Sequence, residues 1–116
     1  MKPEETKKQE LPEGITAEMI TEAKAKHGEG KVKYIDIIND ETSETKTVLA
    51  AVPSRSVIGF YQRFETSDPK KAQELLVKNC LLSHKEEVLA NDALFYGALS
   101  GIAELIPVRR AVVKNL

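Results

Sequence analysis

Residues 31–52 read KVKYIDIINDETSETKTVLAAV, and their reading decides the fold class. KVKYIDII (31–38) is rich in β-branched and aromatic residues, which fit a pleated, partly buried surface better than a helix. Val32 and Tyr34 fall on one face and Ile35 and Ile37 on the other. That switch of apolar parity predicts either a bulge or a strand covered on both faces. NDETSE (39–44) is a turn cluster, and TKTVLAAV (45–52) reads as a second strand. With so short a connection the simplest topology is an antiparallel hairpin. A hairpin alone is marginal in water, so a helical layer or another chain must cover it.

The flanking sequence supplies helices. Upstream, Thr16 offers an N-cap, Ile15 and Ile20 a hydrophobic staple, Met19, Ile20 and Ala23 a short stripe, and Gly28 a stop. Downstream, Pro53 ends the second strand and Ser54 caps a helix whose Val57, Phe60, Tyr61 and Phe64 share one face, predicted to pack over the hairpin. Asp68-Pro69 opens the next helix: the carboxylate caps, and proline at the first turn lacks an N–H that would have no partner anyway. Ala72, Leu75, Leu76, Asn79 and Leu82 form its inward stripe. In NDALFYGALSGIAELI (91–106), capped by Asn91 or Asp92 and ended by Pro107, the residues Phe95, Leu99, Ile102 and Ile106 form a long stripe. Gly97 and Gly101 would let a second backbone approach closely, so this is a central helix or an oligomer contact. The reading is thus α+β: an N-terminal helix, an antiparallel β-hairpin, then three main helices packed against it. Residues 1–14, rich in Lys, Glu and Pro, read as a disordered arm, and 15–116 as a single domain. Residues 108–116 read as a short helical extension with Val108, Val112 and Leu116 on one side.

Composition narrows the function. The chain has 116 residues, 41% hydrophobic and 30% charged, with a formal net charge of −1. Without an excess of Lys and Arg there is little counterion release to gain from nucleic acid, so no nucleic-acid role is expected. No stretch approaches the roughly 20 apolar residues of a membrane span. The first residues, MKPEETKKQELPEG, lack the apolar segment of a secretory signal. Cys80 is the only cysteine, which suits a reducing cytoplasm. With only Cys80, His27 and His84 as soft or borderline ligands, no metal or other cofactor is expected.

Catalytic patterns are few. Cys80 and His84 are four apart and would share a helical face if the helix ran that far, but no third group accompanies them. A buried core thiol is the favoured reading. Glu86 and Glu87 are adjacent, about 100° apart on a helix, and read as solvated loop charges rather than an acid–base pair. There is no Gly-rich phosphate loop, no G-x-S-x-G and no H-E-x-x-H. The chain is not expected to be an enzyme.

What remains is surplus apolar surface. Val77 with Leu81, and Leu94 with Ala98 and Leu105, form seams off the main stripes. Each seam is either deeply buried or a surface for a partner or a second copy, so Val77, Leu81, Leu94, Ala98 and Leu105 are the candidate contact residues.

The order of these features resembles that of a family of small phage and prophage proteins, the tail assembly chaperone-like proteins. In that pattern a helix begins with Asp-Pro, carries Lys-Ala and ends in Asn-Cys. An acidic loop then leads to an Asp-x-Leu-Phe helix start with a Glu near the helix end. Here those positions are Asp68, Pro69, Lys71, Ala72, Asn79, Cys80, Glu86, Glu87, Asp92, Leu94, Phe95 and Glu104, and the likeness covers most of residues 16–106. The family often places an aromatic residue and then glycines after Asn-Cys, whereas Leu81, Leu82, Ser83 and His84 stand here. The resemblance implies a non-enzymatic protein of the bacterial host cytoplasm that self-associates. It also implies binding to the tape measure protein before tail tube subunits polymerise around it. A structural component of the virion or tail, or another small oligomeric interaction protein, is the alternative.

Overall fold

In the computed structural model the described residues are 11–116, so most of the expected N-terminal arm lies outside them. The last part of that arm is placed: Ile15 N–H bonds the Pro12 carbonyl at 3.1 Å, and Ile15 is buried. The elements are α1 (Ala17–His27), a 3₁₀ turn (Glu29–Lys31), β1 (Val32–Ile38), β2 (Thr45–Ala51), α2 (Arg55–Phe64), α3 (Pro69–Cys80), α4 (Lys85–Ala90) and α5 (Asp92–Glu104). Among the described residues this is an α+β fold, a two-stranded antiparallel hairpin with five helices.

The helix starts sit where polar side chains can replace missing turns of hydrogen bonds. Thr16, Ser54, Asp68 and Asn91 each accept from the backbone N–H three residues on, at 3.1, 3.2, 3.3 and 3.0 Å. At Thr16 the reciprocal bond of the capping box goes to the Met19 thioether, at 3.4 Å. Asn39 organises the hairpin turn. Its Oδ1 accepts from the N–H groups of Glu41 and Thr42, and Ser43 takes a left-handed φ of 65° before β2 begins.

The hairpin register runs from Val32 opposite Ala51 to Ile38 opposite Thr45, with no residue out of step. The parity switch is therefore not a bulge. Ile35 is buried and Ile37 half-buried on the face under α5, while Tyr34 and Ile38 on the other face stay about half exposed. The strand covered on both faces is β2, where Val48, Leu49, Ala50 and Ala51 are all buried.

α5 is the central helix, in contact with β1, β2, α3 and α4. Its glycines carry the contact with the sheet. A Cβ built on Gly97 would lie 2.6 Å from Ile37 Cγ2, and one on Gly101 2.5 Å from Ile35 Cγ2. The close approach expected of these glycines is made by strand side chains, not by a second helix. α2 makes its main contact with α3 and sits one layer further out than a helix over the hairpin. Val57 and Tyr61 reach the core from there, and Phe60 remains 48% exposed with the Arg63 guanidinium 5.5 Å above its ring.

Two further expectations are corrected. Glu86 and Glu87 are not loop charges but occupy the first turn of α4, where negative charge meets the positive end of the helix dipole. Glu87 also pairs with Lys46 at 3.0 Å. Residues 108–116 form no helix: they run irregularly, with Val108 and Val113 83% and 95% exposed. Pro107 has no N–H and disfavours helical geometry at Ile106, and no neighbouring surface takes up the stripe that would have rewarded helix formation.

Candidate binding surfaces

Three of the five candidate contact residues are interior. Val77, Leu81 and Ala98 are 0%, 1% and 0% exposed and belong to one cluster with Ile35, Val48, Leu76, Val88 and Ile102. They are corrected from surface to core. The cause is the segment that follows α3. Leu81 bridges Ala50, Leu82 N–H donates to the Leu49 carbonyl at 2.7 Å, and Ser83 Oγ accepts from Leu49 N–H at 2.8 Å. Residues 81–83 therefore complete the outer edge of β2 and draw the Val77–Leu81 seam inward.

Leu94 and Leu105 are half-buried and lie at opposite ends of α5. Leu94 borders a broad open depression of about 900 Å³ beside Ile37, Ile38 and the hairpin turn. Leu105 borders a smaller groove of about 350 Å³ between α5 and β1, with Tyr34, Asp36, Gly97, Gly101 and Glu104. A third groove, about 580 Å³, lies across α3, α4 and α5. Leu89, Phe95 and Tyr96 supply its apolar part, and Lys70, Glu74, Lys78 and Asp92 its charges. Leu89 is 39% and Tyr96 57% exposed, and Phe95 meets the Tyr96 ring edge-on at 5.4 Å.

The sequence pattern missed Leu89, Tyr96, Tyr34 and Ile38. Tyr96 lies one position off the Phe95–Leu99–Ile102 stripe, which marks it as facing outward. Leu89 sits on a six-residue helix too short to show a period.

Cys80 and His84 do not form a pair. α3 ends at Cys80, so the two are not on one helix. The Cys80 thiol is buried, and loss of solvation pushes its pKa up to about 11, away from the thiolate that a nucleophile needs. His84 is occupied elsewhere, in a left-handed conformation with φ 58°. Its Nε2 lies 2.9 Å from the Glu13 carbonyl oxygen and its Nδ1 2.7 Å from Ser83 Oγ. A carbonyl only accepts, so Nε2 carries the hydrogen, and in that tautomer Nδ1 accepts from the Ser83 hydroxyl. Leu49 N–H, Ser83, His84 and Glu13 form one chain of hydrogen bonds from β2 to the turn before α1. Gly14 packs on the imidazole so closely that a Cβ there would overlap the ring. Among the described residues no group of three or more His, Cys, Asp or Glu side chains is placed to hold a metal ion. Among the same residues, no helix is long and apolar enough to cross a membrane.

No family model matches the sequence, and no curated protein matches it. Among solved structures, that of the uncharacterised protein rbstp2171 from Bacillus stearothermophilus is similar, with a TM-score of 0.56 and 19% identity. The match covers 82% of this chain and 98% of that one, and at this identity it shows a shared fold alone.

Proposed function

We propose that this chain is a non-catalytic binding protein, a phage or prophage tail assembly chaperone-like factor. In this proposal it shields an apolar helical seam of a tape measure protein in the groove across α3, α4 and α5. The resemblance of residues 16–106 to that family motivates the client. One structural observation supports the binding mode. Leu89 and Tyr96 stand exposed around half-buried Phe95, inside a groove rimmed by charges of both signs. An amphipathic helix would set its apolar stripe on those three side chains and its flanking charges against Lys70, Lys78, Glu74 and Asp92. The buried, protonated thiol of Cys80 and the engaged ring of His84 fit a protein that binds rather than reacts.

Co-expression with a tape measure fragment tests the reading. The fragment is expected to remain soluble with the wild-type chain and to precipitate with a Leu89→Asp/Tyr96→Asp variant that itself stays folded. A fragment that is insoluble beside the wild type, or held equally well by the variant, would overturn it.

A further inference from the structure

We infer that the free edge of β1 is a strand-docking site, and that its occupant is the segment 108–116 of a second copy of this chain. The inference is independent of the client groove. At one end of the hairpin Val52 N–H donates to the Lys31 carbonyl at 2.7 Å, and at the other Asn39 N–H donates to the Glu44 carbonyl at 2.8 Å. Both bonds lie on the register of the ladder. Bonded pairs alternate along an antiparallel ladder. Lys33, Ile35 and Ile37 therefore turn their N–H and C=O groups toward β2, while Val32, Tyr34, Asp36 and Ile38 turn theirs outward. Among the described residues the outward groups of Tyr34, Asp36 and Ile38 meet no hydrogen-bond partner. Beside this edge runs the groove whose far wall is the small-residue side of α5, Gly97, Ser100 and Gly101. An extended chain could enter there without displacing a large side chain.

The occupant follows from length, shape and charge. Among the described residues, 108–116 hold four of the nine exposed large hydrophobics, Val108, Val112, Val113 and Leu116, and have no secondary structure of their own. Nine residues in strand conformation span roughly 30 Å, enough for the roughly 23 Å of β1. The segment carries Arg109, Arg110 and Lys114, all cationic. The groove carries Asp36 and Glu104, and the hairpin turn beyond it Asp40, Glu41 and Glu44. Against these stand Lys31 and Lys33 at the start of the strand and Lys46, which Glu87 already holds. Within one copy Pro107 sends the segment onward from α5, and its exposed side chains lie off the protein's own surface. Reciprocal exchange between two copies would fill both edges with one closed, two-fold arrangement.

Sedimentation of the whole chain from micromolar to millimolar concentration tests this, beside two variants. Tyr34→Pro removes an outward N–H and no bond of the hairpin, so the fold should survive, as proline does on edge strands. Val112→Asp/Val113→Asp alters only exposed side chains, so it tests the site even if the proline variant fails to fold. The wild type is expected to dimerise, and each folded variant to raise the dimer dissociation constant roughly tenfold or more. Added salt should weaken the dimer as the charges are screened. A wild type that stays monomeric throughout would overturn the inference. So would a dimer unaffected by either folded variant, or a segment 108–116 protected from hydrogen exchange in the monomer.

Discussion

Tyr34 and Leu49 face each other across the hairpin, and their outward backbone groups have opposite fates. The N–H of Leu49 is met by Ser83 Oγ and its carbonyl by Leu82 N–H, so β2 is closed by the segment that follows α3. The corresponding groups of Tyr34 open on a groove. Burial follows the same division: Leu49 is 2% exposed and Tyr34 48%. A two-stranded sheet in a small domain has two edges to satisfy, and this chain finishes one of them with residues 81–83, a segment distant from β2 in sequence. Natural sheets commonly blunt an open edge with charge, and Lys33 and Asp36 do so here only in part. The contrast separates what holds the fold together from what is free to bind.

The contrast can be broken most severely on the closed side. Leu81→Ala empties a fully buried site beside Ala50 and Val77 and should cost about 2–5 kcal/mol in denaturant unfolding. Ser83→Ala removes the acceptor for a buried N–H and the link to His84. It should cost about 1–3 kcal/mol by the same measurement, and proteolysis near Glu13 should quicken as the hydrogen-bonded chain is cut. On the open side, Ile38→Thr should change the stability of dilute protein by no more than about 0.5 kcal/mol. A loss at Ile38 as large as that at Leu81 would mean that the two edges differ less than their burial and hydrogen bonding imply.

The hairpin and the helix starts were legible because their causes are local. Turn residues at 39–44, β-branched runs either side of them, and Thr16, Ser54, Asp68 and Asn91 each act within a few residues of themselves. The assignment of seams to core or surface was not legible, because it depends on where a distant segment lands. A helical wheel sets Val77 and Leu81 apart from the Leu76 stripe. Only the docking of 81–83 against β2 shows that the Val77–Leu81 seam points inward. In that loop His84 takes the left-handed conformation a glycine would accept freely. α4 was missed because six residues with adjacent glutamates display no period. The glycines of α5 announced a close approach, but not that isoleucine side chains of a strand would make it.

Residue-resolved amide hydrogen exchange on dilute monomer tests the two-edge account most directly. The amides of Ile35 and Ile37, directed at β2, should exchange slowly together with that of Leu49, while those of Tyr34, Asp36 and Ile38 exchange fast. Uniform protection along Val32–Ile38 in the dilute monomer, or fast exchange at Leu49, would contradict it.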